Sequence, residues 1–212
     1  MTSKSTSESP SPSCHSSVSL LSLLRCSFGH PGGIRSGHGI RGRACQYLAV
    51  RFHAEHRFHG SEQAVLSILA DPSFYLGLTL PDLSRPELLD STDDGDVAVL
   101  RFRFQFEGNL DPMARRLIGP GRLAWIQEVR VDRAGRAGSI GFQAEQDPKR
   151  LHGSASYQLI PSGDGTVRRL AGELVVAVPG IGRMAERRIV PGLQRRLDIE
   201  AQAVDECLSD GA

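Results

Sequence analysis

The chain has 212 residues, 40% of them hydrophobic and 23% charged, with 25 basic against 24 acidic side chains and a formal net charge of +1. That size and composition fit one globular domain, and the balance of charge provides no basic face of the kind nucleic acid selects. No apolar run reaches the roughly 18 residues a membrane span requires; the longest candidate, Val18 to Leu24, falls well short.

Residues 1–47 are Ser-rich and then Gly- and Arg-rich, with neither a helical nor a strand period. Such a composition cannot bury enough apolar surface to offset its ordering entropy. A disordered segment, or a start codon assigned too early, is expected here. Val18 to Leu24 resembles the core of a signal peptide, but only Lys4 precedes it and no small-x-small site follows promptly. Cys14, Cys26 and Cys45 lie in this segment and Cys207 lies near the chain's end, none with C-x-x-C spacing. Neither a zinc site nor a redox pair is indicated, and the expectation is a reduced, cytoplasmic protein with incidental thiols.

The domain is expected over residues 48–209. On a first strand, Val50 to Phe58, the residues Phe52, Ala54, His56 and Phe58 share one face, with His53, Glu55, Arg57 and His59 opposite. Gly60 breaks the strand, Ser61 caps a helix from Glu62 to Ala70, and Asp71-Pro72 opens a second short helix with Phe74, Tyr75 and Leu76. Strands Glu87 to Ser91 and Val97 to Glu107 follow, joined at Asp94-Gly95, a hairpin signal. In the second of them Leu100, Phe102, Phe104 and Phe106 alternate with Arg101, Arg103, Gln105 and Glu107. Asn109 to Gly119 is expected to be irregular or briefly helical. Further strands are expected at Leu123 to Asp132, Ser139 to Gln146, Leu151 to Ile160 and Thr166 to Val178. In the last, Leu170, Gly172, Leu174, Val176 and Val178 fall on one face, and Val167, Arg169, Ala171 and Glu173 on the other. Val178 to Gly182 leads into a long helix ending near Leu208, with apolar residues mostly four apart from Ile181 through Ala185, Ile189, Leu193, Leu197, Ala201 and Val204 to Leu208. Pro191-Gly192 interrupts it and predicts a kink. The resulting class is α+β: a curved antiparallel sheet of about seven strands around a long C-terminal helix, with two short helices after strand one.

That order, together with Glu55-His56-Arg57-Phe58, Asp71-Pro72, the hairpin from Gly153 through Gly165-Thr166, and Val178-Pro179-Gly180-Ile181-Gly182, resembles the START-like superfamily, also called the helix-grip or SRPBCC fold. Within it the chain looks most like the actinobacterial family catalogued as domain of unknown function 2505. The resemblance covers about Ala49 to Leu208. It implies a cavity between sheet and helix, and it brings no assigned reaction to carry over.

Three histidines, His53, His56 and His59, suggest a metal, but the spacing sends His56 to the face opposite the other two. No metal or cofactor is expected. The ordinary role for His56, on the apolar face, is a hydrogen-bonded structural histidine; the functional one is a polar anchor for a ligand. His56, Phe102, Phe104, Tyr157, Leu174, Leu193 and Leu197 are the expected ligand-lining residues. The first five are expected to point into one space under the helix. Trp125 has an ambiguous face. Arg183, Arg187, Arg188, Arg195 and Arg196 are placed on the polar side of the helix, diluted by Glu186, Asp198 and Glu200. They read as a solvated face, or as one for transient contact with a membrane surface. No nucleophile elbow, phosphate loop or H-E-x-x-H pattern appears, and Gly180-x-Gly182 lacks the third glycine of a dinucleotide site. Three functions follow: binding of a hydrophobic small molecule (lipid, isoprenoid or polyketide-like), with catalysis leaning to no; a polyketide cyclase or aromatase-like enzyme, with His56 and Tyr157 as the polar pair; or a protein-interaction module with a filled core. The oligomeric state is left open.

Overall fold

The computed structural model describes residues 49–108, 122–177 and 182–210, with the side chains of the last segment described from Ile189 onward. The first strand, β1 (Val50–Phe58), leads into α1 (Glu62–Ala70) and α2 (Pro72–Gly77). Ser61 caps α1 by accepting a hydrogen bond from the Ala64 amide, and Asp71 caps α2 through the Ser73 amide. Then come β2 (Glu87–Asp93), β3 (Val97–Gln105), β4 (Ala124–Asp132), β5 (Ala137–Ala144), β6 (Leu151–Ser162) and β7 (Gly165–Val176), and finally α3 (Gly182–Asp210). The seven strands make one antiparallel sheet in the order β1-β7-β6-β5-β4-β3-β2, so the last strand closes onto the first. Asp94-Gly95 turns β2 into β3 with Gly95 at φ 93°, a left-handed conformation that glycine adopts without strain.

Alternation in the strands sets the inner face, and the burial follows it. On β6, Leu151, Gly153, Ala155, Tyr157 and Leu159 are buried and every residue between them is exposed. Three glycines on that face, Gly138, Gly153 and Gly172, each lie directly opposite an aromatic residue on the next strand: Tyr157, Phe142 and Phe52. In each case the ring covers the position a Cβ would take. Large rings are thereby packed on a concave surface without pushing the helix away.

The 29-residue α3 is about 43 Å long at 1.5 Å per residue, and it runs through Pro191 as one element. Leu197, Ala201 and Val204 are buried against the sheet, where they join Phe52, Phe58, Tyr75, Phe102, Phe104 and the apolar side of α1 in one core. Leu151, Leu174 and Val176 form a second, smaller core with Ile189 and Val190. Cys207 takes part in a disulfide, in place of the incidental thiol expected. The other three cysteines, the stretch Asn109 to Gly119 and residues 178–181 lie outside the described residues. No helix among the described residues is long and apolar enough to cross a membrane.

Leu197 is 5% exposed and faces the sheet, whereas Gln202 is exposed beside Glu206. Leu197→Asp should cost several kcal/mol or abolish cooperative unfolding, as burying an unpaired charge does. Gln202→Lys should shift stability by no more than about 0.5 kcal/mol in urea titrations. Equal losses would mean that the buried face of α3 lies elsewhere.

Candidate functional site

The inner face carries four polar groups in apolar register. His56 on β1 and Arg168 on β7 are direct cross-strand partners. Arg168 has the same parity as Leu170 and is wholly buried. Its Nη1 donates to Glu200 Oε1 at 2.7 Å, and that carboxylate is itself only 4% exposed. Nε and Nη2 both point at His56 Nδ1, at 3.3 and 3.2 Å. A guanidinium can only donate, so Nδ1 is bare and the ring proton sits on Nε2, 3.0 Å from Asp198 Oδ1. The guanidinium also lies near the Phe58 and Tyr157 rings, 5.6 and 5.8 Å from their centroids. Glu200 was expected on the solvated side of the helix. It lies three residues after Leu197 and four before Val204, which puts it on the buried stripe.

Two further ties fasten α3 along β1. Asp205 accepts from the His59 amide and faces His59 Nδ1, both at 2.7 Å, and Gln194 donates to the His53 carbonyl at 3.3 Å. His53 through its backbone carbonyl, and His56 and His59 through their rings, thus meet the helix at three successive points; His59 lies one residue beyond β1, so strand parity does not hold its ring on the face of His53 as expected.

Burial, and next the Arg168 charge, hold the His56 imidazole below its ordinary pKa of 6.5 despite the opposing Asp198 carboxylate. Both ring nitrogens are engaged by protein groups. The ring is therefore a structural link and has no lone pair left for substrate.

The second polar focus is Arg196, expected on the solvent side. The structure turns it inward: its guanidinium carbon stands 4.2 Å from the centroid of Phe104 and 5.8 Å from that of Trp125. Phe104 and Trp125 are opposed on β3 and β4 and stack at 5.6 Å with a 12° tilt, which settles Trp125 onto the inner face. Burial lowers the Arg196 pKa to about 10. Gln127, two residues along β4, is 3% exposed and stands opposite both Phe102 and Phe142. Side chains of Arg183, Arg187 and Arg188 lie outside the described residues.

Of the ligand-lining residues expected from the sequence, Phe102, Phe104, Tyr157 and Leu197 meet in the main core, with the half-buried Leu193 packed against it. Leu174 belongs to the second core. The Tyr157 hydroxyl is buried with no hydrogen-bond partner, and burial raises its pKa. It lies against Gly138 on the neighbouring strand, while His56 is directed to Arg168 and Asp198. A groove bordered by His53, Ala137, Ser156 and Ala171 also takes in Tyr157 and Leu170.

A family model described as protein of unknown function (DUF2505) matches residues 53–208. The chain belongs to that family. No curated protein matches the sequence. Among solved structures it is similar to TTHA0849 from Thermus thermophilus (15% identity, TM-score 0.54, covering 77% of this chain and 99% of that one). It is also similar to the Zhui aromatase/cyclase from Streptomyces sp. R1128 (13%, 0.52, 75% and 93%). A third is norcoclaurine synthase from Thalictrum flavum in complex with dopamine and hydroxybenzaldehyde (15%, 0.53, 84% and 99%). At these identities the likeness is one of fold, and the fold is the helix grip.

The buried network can be tested by substitution and by pH. Arg168→Leu or Glu200→Leu alone leaves a buried charge unpaired and should cost about 3–5 kcal/mol. The double variant should be more stable than either single one, as read by urea unfolding. The pH dependence has a definite sign. His56 is held below 6.5, so the unfolded chain takes its proton first. Its contribution is therefore full above about pH 6.5 and is lost as pH falls through the depressed native value, at a slope of at most about 1.4 kcal/mol per pH unit. His59 is raised by its hydrogen bond and charge contact with Asp205, so its contribution is present at acid pH and fades as pH rises. His56→Gln should flatten the acid loss of stability between pH 7 and 5, and His59→Gln should steepen it.

Proposed function

We propose that the protein binds a hydrophobic small molecule, lipid, isoprenoid or polyketide-like, between the sheet and α3. The observation that carries this is where the helix touches. Its backbone lies against β1, β7 and α1 and stands off the inner faces of β3, β4 and β5. On that part of the face Trp125 and Phe142 are only half-buried although they point toward the helix, and so are Val190 and Leu193 on the helix side. A packed core would cover such rings, as it covers Phe102 and Phe104 at 0 and 1% exposure. Apolar walls with a few polar groups among them are the usual lining of a small-molecule site. Carriage is favoured over catalysis because His56, the one inner-face histidine among the described residues, has both nitrogens engaged.

The test uses an uncharged dye. N-phenyl-naphthylamine should brighten on binding to the folded protein, and Leu193→Trp, which extends a half-buried side chain into the proposed space, should weaken that binding severalfold with the circular dichroism unchanged. A folded protein that binds no uncharged apolar probe would sink the proposal and leave the interaction-module reading in front.

A further inference from the structure

Arg196 has no counterpart in the buried network. Arg168 has Glu200 at 2.7 Å, but among the described residues no carboxylate lies within ion-pair distance of Arg196 and no hydrogen bond is made by its guanidinium. Its contacts are the faces of Phe104 and Trp125. Glu200, the nearest acidic influence on it, already pairs with Arg168. Cation–π contact recovers part of the hydration a guanidinium loses on burial, and its N–H edge still requires acceptors. The two strand residues beside it are in a similar state. No hydrogen bond engages the Trp125 indole N–H or the Gln127 amide among the described residues, although Gln127 is only 3% exposed as a whole; the polar atom sealed without a partner among those residues is the Tyr157 hydroxyl. Three donors without acceptors thus share the part of the interior from which the helix stands off.

We propose, resting on the ligand-binding reading above, that this group is an anion anchor and that the ligand is an amphipathic monocarboxylic acid. Its carboxylate takes the N–H edge of Arg196, and its apolar or aromatic body lies along the half-buried side chains of Trp125, Phe142 and Leu193. A carboxylate suits the site because a guanidinium offers two parallel N–H donors, matching its two oxygens. Phosphate would bring a second negative charge to an interior that, among the described residues, has one cation without a carboxylate partner. Gln127 selects among acids, since its amide both donates and accepts and so can meet a hydroxyl or keto group on the ligand body.

The experiment compares each acid with its own alcohol by calorimetry near pH 7.5: dodecanoic acid with dodecanol, and 2-naphthoic acid with 2-naphthalenemethanol. The acid of at least one pair should bind roughly ten- to hundredfold more tightly than its alcohol, the worth of a charge-assisted bond; which pair shows the larger ratio tells a fatty chain from an aromatic body. Arg196→Met should remove that ratio while weakening the alcohol far less, and Arg196→Lys should restore part of it. Arg196→Met should also melt no lower than the parent, because it removes a half-buried charge that has no carboxylate partner among the described residues and keeps an apolar side chain on the two rings. Acid and alcohol binding equally in the parent, or falling together in Arg196→Met, overturns the anchor while leaving apolar ligand binding in place. Binding of neither compound, together with no uncharged dye bound, removes the ligand reading itself and the anchor with it.

Discussion

A guanidinium sealed from water decides how this molecule closes. Arg168 stands in the first half of β7, the strand that joins the first and sixth strands in the sheet, and burial of such a charge is tolerable only when its partners arrive in the right geometry. Glu200 comes from the helix and His56 from the neighbouring strand. The helix can therefore satisfy the sheet in only one rotation and one translation: a step of one residue would carry Glu200 about 100° away from the inner face. Apolar packing by Leu197, Ala201 and Val204 supplies much of the adhesion. Hydrophobic contact is not directional, and the ion pair is what makes the docking specific.

That constraint acts at one side of the sheet. The ties of α3 to β1 and β7 run through residues 194, 198, 200 and 205, toward its C-terminal half. The aromatic rings over Gly138, Gly153 and Gly172 keep the facing strands low and curved. An element fixed along one edge of a concave surface need not follow the other edge, and β3, β4 and β5 are where the helix stands off. The interior space thus arises from the way the helix is fastened, without any strand or loop dedicated to it.

The fold was legible because its signals are periodic. Strand alternation, cap and turn signals and the four-residue helical stripe located the seven strands and three helices of the described residues, with ends displaced by a residue or two, and Glu87 to Ser91 running on to Asp93. The polar interior was harder to read. Arg168 has the parity of Leu170 and Glu200 the phase of Leu197, but Glu200 was read with the solvated side of the helix and Arg168 was not singled out. Their meaning depends on each other, and they lie 32 residues apart on different elements. Arg196 is hidden for another reason. It borders the stripe, and a long side chain at a border can lay its stem along apolar surface and turn its head either way; only the Phe104–Trp125 stack opposite determines that it turns inward. The same stack resolves Trp125, whose neighbours Gln127 and Val129 left its face ambiguous.

The interior thus holds two arginines that obey opposite rules. Arg168 is closed to solvent and met by carboxylate and imidazole, which is the condition of a group kept for architecture. Arg196 is half-buried, faces rings, and finds no acceptor among the described residues. Were both structural, the second would add little to folding, since an aliphatic side chain would pack on Phe104 and Trp125 without the partial desolvation of a charge. Local conflict with the logic of a core is the usual mark of a residue held for something other than stability. The distinction between a satisfied and an unsatisfied buried charge, rather than the presence of polar residues as such, separates the part of this interior that holds the protein together from the part available to a ligand.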